Sequence, residues 1–238
     1  MVTTNHAPNR RRQHLISACA MTLTLVAGVI ALPAAPAHAA DPITANDQTF
    51  YAYYKLDQAR AKGYTGKGVT IALIDGEVDT NAPELAGATI IDKSPCTVTS
   101  SPFSKTHGTS MASLLVSKAY GVAPDATLLT YTTSQPGDND VSGHDCTSSN
   151  GNGIEDPVSL INRAISDGAQ IISISSSNDE SSDTTKWAIA RANARGVIVV
   201  SPMGNDAKDE TLDTYSKWSG VVGVSAIDTT GKVASYSS

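Results

Sequence analysis

The sequence predicts a three-layer α/β fold, a mostly parallel twisted sheet with helices on both faces. Two observations lead there. From Asp41 onward, short apolar runs alternate with helical segments, and strands alternating with helices build a parallel sheet covered on both sides. The composition suits close packing of such layers: aromatic residues make up 5% of the chain, while Ala, Ser, Thr and Gly are plentiful. The recurrent apolar runs also exclude a disordered chain. No internal repeat divides it.

The elements follow in order. Residues 69–74 are a β-branched run that ends in Asp75. Residues 109–119 read as a helix opened by a small polar turn, with His107 at its start and Thr109 as a possible cap. Residues 127–131 form a second strand. The Gly/Ser/Asn/Asp-rich stretch 132–156 reads as a long surface loop facing a ligand or solvent. Residues 157–166 carry apolar positions 158, 161 and 165 on one helical face, with Pro157 suited to the first turn. Residues 171–175 are a strand, and residues 184–195 an alanine-rich helix ended by Gly196. Runs 197–201, 221–226 and 233–236 complete the strands. In such sheets, function gathers at the carboxyl ends of the strands.

The N-terminus reads as an export signal over residues 1–40. Arg10, Arg11 and Arg12 precede an uncharged stretch, 15–32, and an A-x-A pattern at Ala37, His38 and Ala39. An uncleaved membrane anchor is the alternative, because the stretch approaches a spanning length; Pro33 and the alanine-rich tail favour cleavage. The Arg11-Arg12 pair faintly resembles a twin-arginine signal, which leaves the export route open. What remains, residues 41–238, is one domain carrying 23 acidic and 14 basic residues, a net charge near −9. That charge repels nucleic acid and anionic membranes and suits a secreted protein with no stable membrane association.

Three cysteines occur, and Cys19 leaves with the signal. Cys96 and Cys146 are an even pair in an oxidising compartment, the condition for a disulfide. Closing a loop of about 50 residues contributes roughly 4 kcal/mol in the chain-entropy model. A metal role is weaker: His144 lies near Cys146, but no fuller ligand set is visible. Lys67, between Gly66 and Gly68, lacks the following Ser/Thr and the preceding strand of a phosphate-binding loop.

Few residues here can act as a base near neutral pH. Only His107 and His144 survive signal removal, and His144 lies in the polar loop, where a histidine is ordinarily just solvated. His107 could be a helix-entry residue and Asp75 a turn residue. Together they suggest more. A carboxylate ending a buried strand needs a partner, and an imidazole N–H is a suitable one; it would fix the tautomer and stabilise the imidazolium.

At these residues the chain resembles the subtilisin-like serine peptidases. Gly66-Lys67-Gly68-Val69-Thr70-Ile71-Ala72-Leu73-Ile74-Asp75 is similar to their aspartate motif, and His107-Gly108-Thr109 with Gly121-Val122-Ala123-Pro124 to their histidine motif. Ile171-Ile172-Ser173-Ile174-Ser175 resembles the strand lining their primary specificity pocket. Val197-Ile198-Val199-Val200 with Gly204-Asn205 resembles the strand and turn presenting the oxyanion asparagine, and the segments at 221–226 and 234–238 resemble the next two. The resemblance implies that Asp75 orients His107, that His107 is the general base, and that Asn205 hydrogen-bonds the oxyanion. It implies that Ser175, Ser176 and Ser177 border protein or peptide substrates. No cofactor is required; structural calcium is common in the family and has no assigned site here.

The departures are specific. Asp75-Gly76-Glu77 stands where the family has Asp-Thr-Gly or Asp-Ser-Gly, and Ser176-Ser177-Asn178 where the pocket strand runs into glycines. The family's nucleophile lies in a Gly-Thr-Ser-Met-Ala helix start beyond the segment resembling 234–238, so the peptidase domain reads as incomplete at its C-terminus, without its serine. A Gly-Thr-Ser-Met-Ala string does occur at 108–112, but it is fused to the histidine motif, and Ser110 sits on the same helix as His107. Two alternatives remain: a catalytically silent, secreted peptide-binding module, or an unrelated enzyme using Asp75 and His107 as metal ligands.

Overall fold

The computed structural model describes residues 42–95, 100–133, 157–175, 182–205, 207 and 215–237. The expected export segment, Cys96, Cys146, His144, Ser176 and Ser177 lie outside these residues, so the expected disulfide and two of the three expected pocket serines have no structural account.

The helices are α1 (Thr49–Tyr53), α2 (Leu56–Ala61), α3 (Pro102–Val116), α4 (Pro157–Ser166) and α5 (Asp183–Ala194). The strands are β1 (Thr70–Asp75), β2 (Thr89–Asp92), β3 (Thr127–Thr132), β4 (Ile171–Ile174), β5 (Ile198–Pro202) and β6 (Val221–Val224). They form one sheet in the order β2-β3-β1-β4-β5-β6, and every neighbouring pair is parallel. From β1 the chain passes to the edge strand β2, returns to β3 between the two, then crosses to β4 and continues outward through β5 and β6. The order therefore reverses between β1 and β4, and a crevice opens there at the carboxyl ends.

Strand alternation assigns the faces. Ala72 and Ile74 of β1 lie in a core with Leu129, Tyr131, Ile172, Val199 and residues of α4 and α5. Ile71 and Leu73 lie in the opposite core with Ala112 and Val116 of α3, Leu128 and Leu85. Ile71, Ala72, Leu73 and Ile74 are all at most 3% exposed, and burial of each of the three larger side chains is worth about 1.5–3 kcal/mol. The same alternation sends the Asp75 carboxylate to the α3 face.

That face is unevenly covered. α3 packs over β1 and β3, while register continues the face from Leu73 through Ser173 and Val200 to Val222. There Ile198, Val222 and Val224 are each 50% exposed. An apolar sheet face is thus left open beside α3.

Two expectations are corrected. Helix α3 begins at Pro102, not at residue 109: Ser101 is the cap, its Oγ accepting from the Ser104 N–H at 3.1 Å, and Pro102 takes the first turn. His107 therefore stands mid-helix. Residues 233–236 are not a strand. The Asp228 carboxylate accepts from the Thr230 and Lys232 amides, which folds the chain into a tight turn with one antiparallel bridge, Ile227 to Val233. The short strand β2 and helices α1 and α2 were not anticipated.

Candidate active site

Asp75 closes β1 and is 1% exposed. Its Oδ1 lies 2.7 Å from His107 Nδ1 and accepts the Gly76 N–H at 2.6 Å. An ionised carboxylate can only accept, so Nδ1 carries the proton and Nε2 is the free nitrogen. Nε2 has no hydrogen-bond partner among the described residues. The hydrogen bond that Asp75 accepts raises the imidazole's proton affinity above its ordinary value; partial burial opposes it, and the carboxylate's charge adds to it.

Two glycines let the strand end and the helix approach closely enough for this bond. A Cβ on Gly76 would collide with the Ser104 carbonyl and hydroxyl, and one on Gly108 would collide with the Gly76 and Glu77 carbonyls. The turn after β1 therefore lies directly on the backbone of α3. This explains the departure at position 76: a hydroxyl-bearing residue there has no room in this chain. The acid at position 77 is also answered, because the Glu77 carboxylate accepts from Lys105 Nζ at 3.0 Å.

His107 opens onto a cleft of about 920 Å³. Its walls include Met111 and Leu114 of α3, Ser175 after β4, Gly204 and Asn205 after β5, and Val224 of β6. The structure thus brings His107, Ser175 and Asn205 to one cavity at the strands' carboxyl ends. Ser110 lines a separate cavity of about 580 Å³ with Lys105 and Thr109, so it belongs to a different side of the helix from the imidazole's opening. Among the described residues no cluster of three or more His, Cys, Asp or Glu could hold a metal, and Asp75 is engaged with Nδ1. No described helix is long and apolar enough to cross a membrane.

Sequence reading missed the two-glycine contact and the Glu77–Lys105 pair. Both needed the true start of α3, for which Ser101-Pro102 was the available signal.

Comparison with known proteins identifies the family and the fold. The family model described as the subtilase family matches residues 66–238. The chain is 31% identical to the minor extracellular protease Vpr of Bacillus subtilis (strain 168) over 169 residues, covering 64% of this chain and 20% of that protein. It is 27% identical to subtilisin E of the same organism over 195 residues, covering 77% and 47%. The thermostable alkaline protease of Halalkalibacterium halodurans is 28% identical, with 78% and 48% covered. The chain thus spans about half, or less, of these relatives. Among solved structures, the patellamide maturation protease PatA superposes with a TM-score of 0.58 at 25% identity, covering 73% of this chain and 61% of that one. The prenylagaramide maturation protease PagA also gives 0.58, at 23% identity, covering 76% and 62%.

Proposed function

This chain belongs to the subtilase family, and from that premise we propose that it is a secreted serine endopeptidase cleaving exported or extracellular proteins through an acyl-enzyme. Asp75 orients the base, His107 is the base, and Asn205 donates to the oxyanion. The nucleophile in this reading is the family's serine, which would donate its proton to Nε2.

The chemistry runs through named atoms. The serine Oγ adds to the scissile carbonyl carbon while its proton passes to His107 Nε2. The carbonyl electron pair moves onto oxygen, where the Asn205 amide donates. The imidazolium, stabilised by Asp75, then gives its proton to the leaving amine as the C–N bond breaks. Water repeats the sequence on the ester. Ser175 borders the cleft where an extended peptide would run as an added strand.

The observation that carries this reading is the 2.7 Å contact between Nδ1 and a buried carboxylate, which leaves Nε2 as the acceptor in the cleft. A second reading rests on that same nitrogen: with no described hydroxyl bonded to it, the protein would be a silent peptide-binding module. A serine-directed phosphonate probe applied to the complete gene product separates the two. The peptidase reading expects labelling that His107→Gln abolishes. A folded product that takes no label is the silent module.

A further inference from the structure

We propose that Glu77, Lys105, Asp79 and Thr109 form an outer clamp that sets the rotation of α3 and so holds His107 against Asp75; their role as positioning residues rests on the reading of His107 as the base. The turn after β1 crosses α3 over Ser104 and Gly108, one helical turn apart, with only the short Ser104 side chain at the crossing. Such a contact fixes distance well and rotation poorly. Ala112 and Val116 anchor the later turns of α3 in the core, but at the crossing itself a backbone lying on glycine and serine resists local roll only weakly.

What stops the roll lies on either flank. At about 100° per residue, His107 and Lys105 emerge roughly 160° apart around the helix, on opposite sides of the crossing. Asp75 grips the His107 flank. On the other flank, Lys105 Nζ donates to Glu77 Oε1 at 3.0 Å, and the Asp79 N–H donates to Thr109 Oγ1 at 2.9 Å. Thr109 Oγ1 in turn donates to the Lys105 carbonyl at 2.7 Å, tying both grips to one helical turn. Residues 75, 77 and 79 of the turn thus hold residues 107, 105 and 109 of α3. Glu77 belongs to the departure noted at the aspartate motif, and Lys105 is the cation it captures.

The test is the His107 titration by NMR in the full chain, with the resonance assigned by its loss in His107→Gln. It needs neither nucleophile nor substrate, so its outcome is independent of whether the protein hydrolyses peptides. The charged groups around the crossing are Asp75, Glu77 and Asp79 from the turn and Lys105 from the helix. If the clamp positions the imidazole, Glu77→Gln and Lys105→Met both loosen the Asp75 bond, and both lower the His107 pKa. Thr109→Val does the same without changing any charge. The exchange Glu77→Lys with Lys105→Glu restores the wild-type value. If the two charges act only through space, removing the anion lowers the pKa and removing the cation raises it, and the proposal is overturned. It is equally overturned if all three single variants titrate like wild type.

Discussion

Replacing Asp75 with Asn is the sharpest test of the dyad. The carboxylate is 1% exposed and meets Nδ1 at 2.7 Å. A hydrogen bond to a charged group is worth about 1.5–3 kcal/mol, and about 1.4 kcal/mol corresponds to one pKa unit. The imidazole is 31% exposed, and solvent weakens the interaction, so the lower half of that range applies. The expected outcome is a lowered His107 pKa, through loss of the hydrogen bond that raises it. Because Oδ1 accepts both the Gly76 N–H and Nδ1–H, the amide oxygen takes its position, keeps both bonds and leaves the proton on Nδ1. The tautomer is thus retained, and what the variant loses is the carboxylate's stabilisation of the imidazolium. The assay is an NMR titration of the imidazole nitrogens, which reads pKa and tautomer together. A pKa unchanged within about 0.3 unit, against the expected fall, would show that Asp75 does not govern His107.

Stability should carry the same signature. The folded His107 binds its proton more tightly than the unfolded reference of 6.5, so its contribution is fully present below about pH 6.5 and is lost as pH rises through the folded value. Denaturant midpoints that stay level across that window in wild type, or that still fall in Asp75→Asn, contradict the assignment. Gly108→Ala would press a methyl onto the Gly76 and Glu77 carbonyls. An overpacking cost of about 3 kcal/mol outweighs the helical gain of about 1, and differential scanning calorimetry should show Tm lower by several degrees. Asn205→Ala in the complete gene product should reduce turnover about 10²- to 10³-fold while leaving the fold intact; undiminished kcat removes Asn205 from the site. Val222→Thr and Val224→Thr, both on the open face and 50% exposed, should reduce dye binding to exposed apolar surface. Unchanged dye fluorescence would mean that the face is already covered.

Much of the fold was legible because buried parallel strands advertise themselves. Residues 69–74 and 127–131 are apolar runs with helical patterns between them, and α4 occupies the expected residues, Pro157–Ser166. β2 was not legible: Thr-Ile-Ile-Asp is four residues long, mostly exposed, and held by its pairing with β3 rather than by its own pattern. Residues 233–236 show the reverse error. Their apolar and aromatic character suggested a strand, but the Asp228 side chain satisfies the neighbouring amides locally and turns the chain first.

The site followed the same division between local and non-local information. Asp75 was readable because an acid ending an apolar strand is costly without a partner, and His107 because residues 41–238 hold only one other histidine. The geometry joining them was not, since it depends on where α3 begins and on which of its residues face the turn. A helix starting at residue 109 would put His107 outside it, free to choose a rotamer. Starting at Pro102 makes the imidazole one position on a rigid rod, with Gly108 beside it to admit the turn and Lys105 opposite to receive Glu77. The glycine at position 76 then has a physical cause: Ser104 occupies the space a side chain would need. What looks in the sequence like an eroded motif is, in the fold, a strand end set directly on a helix, with its grip redistributed to the residues on either side.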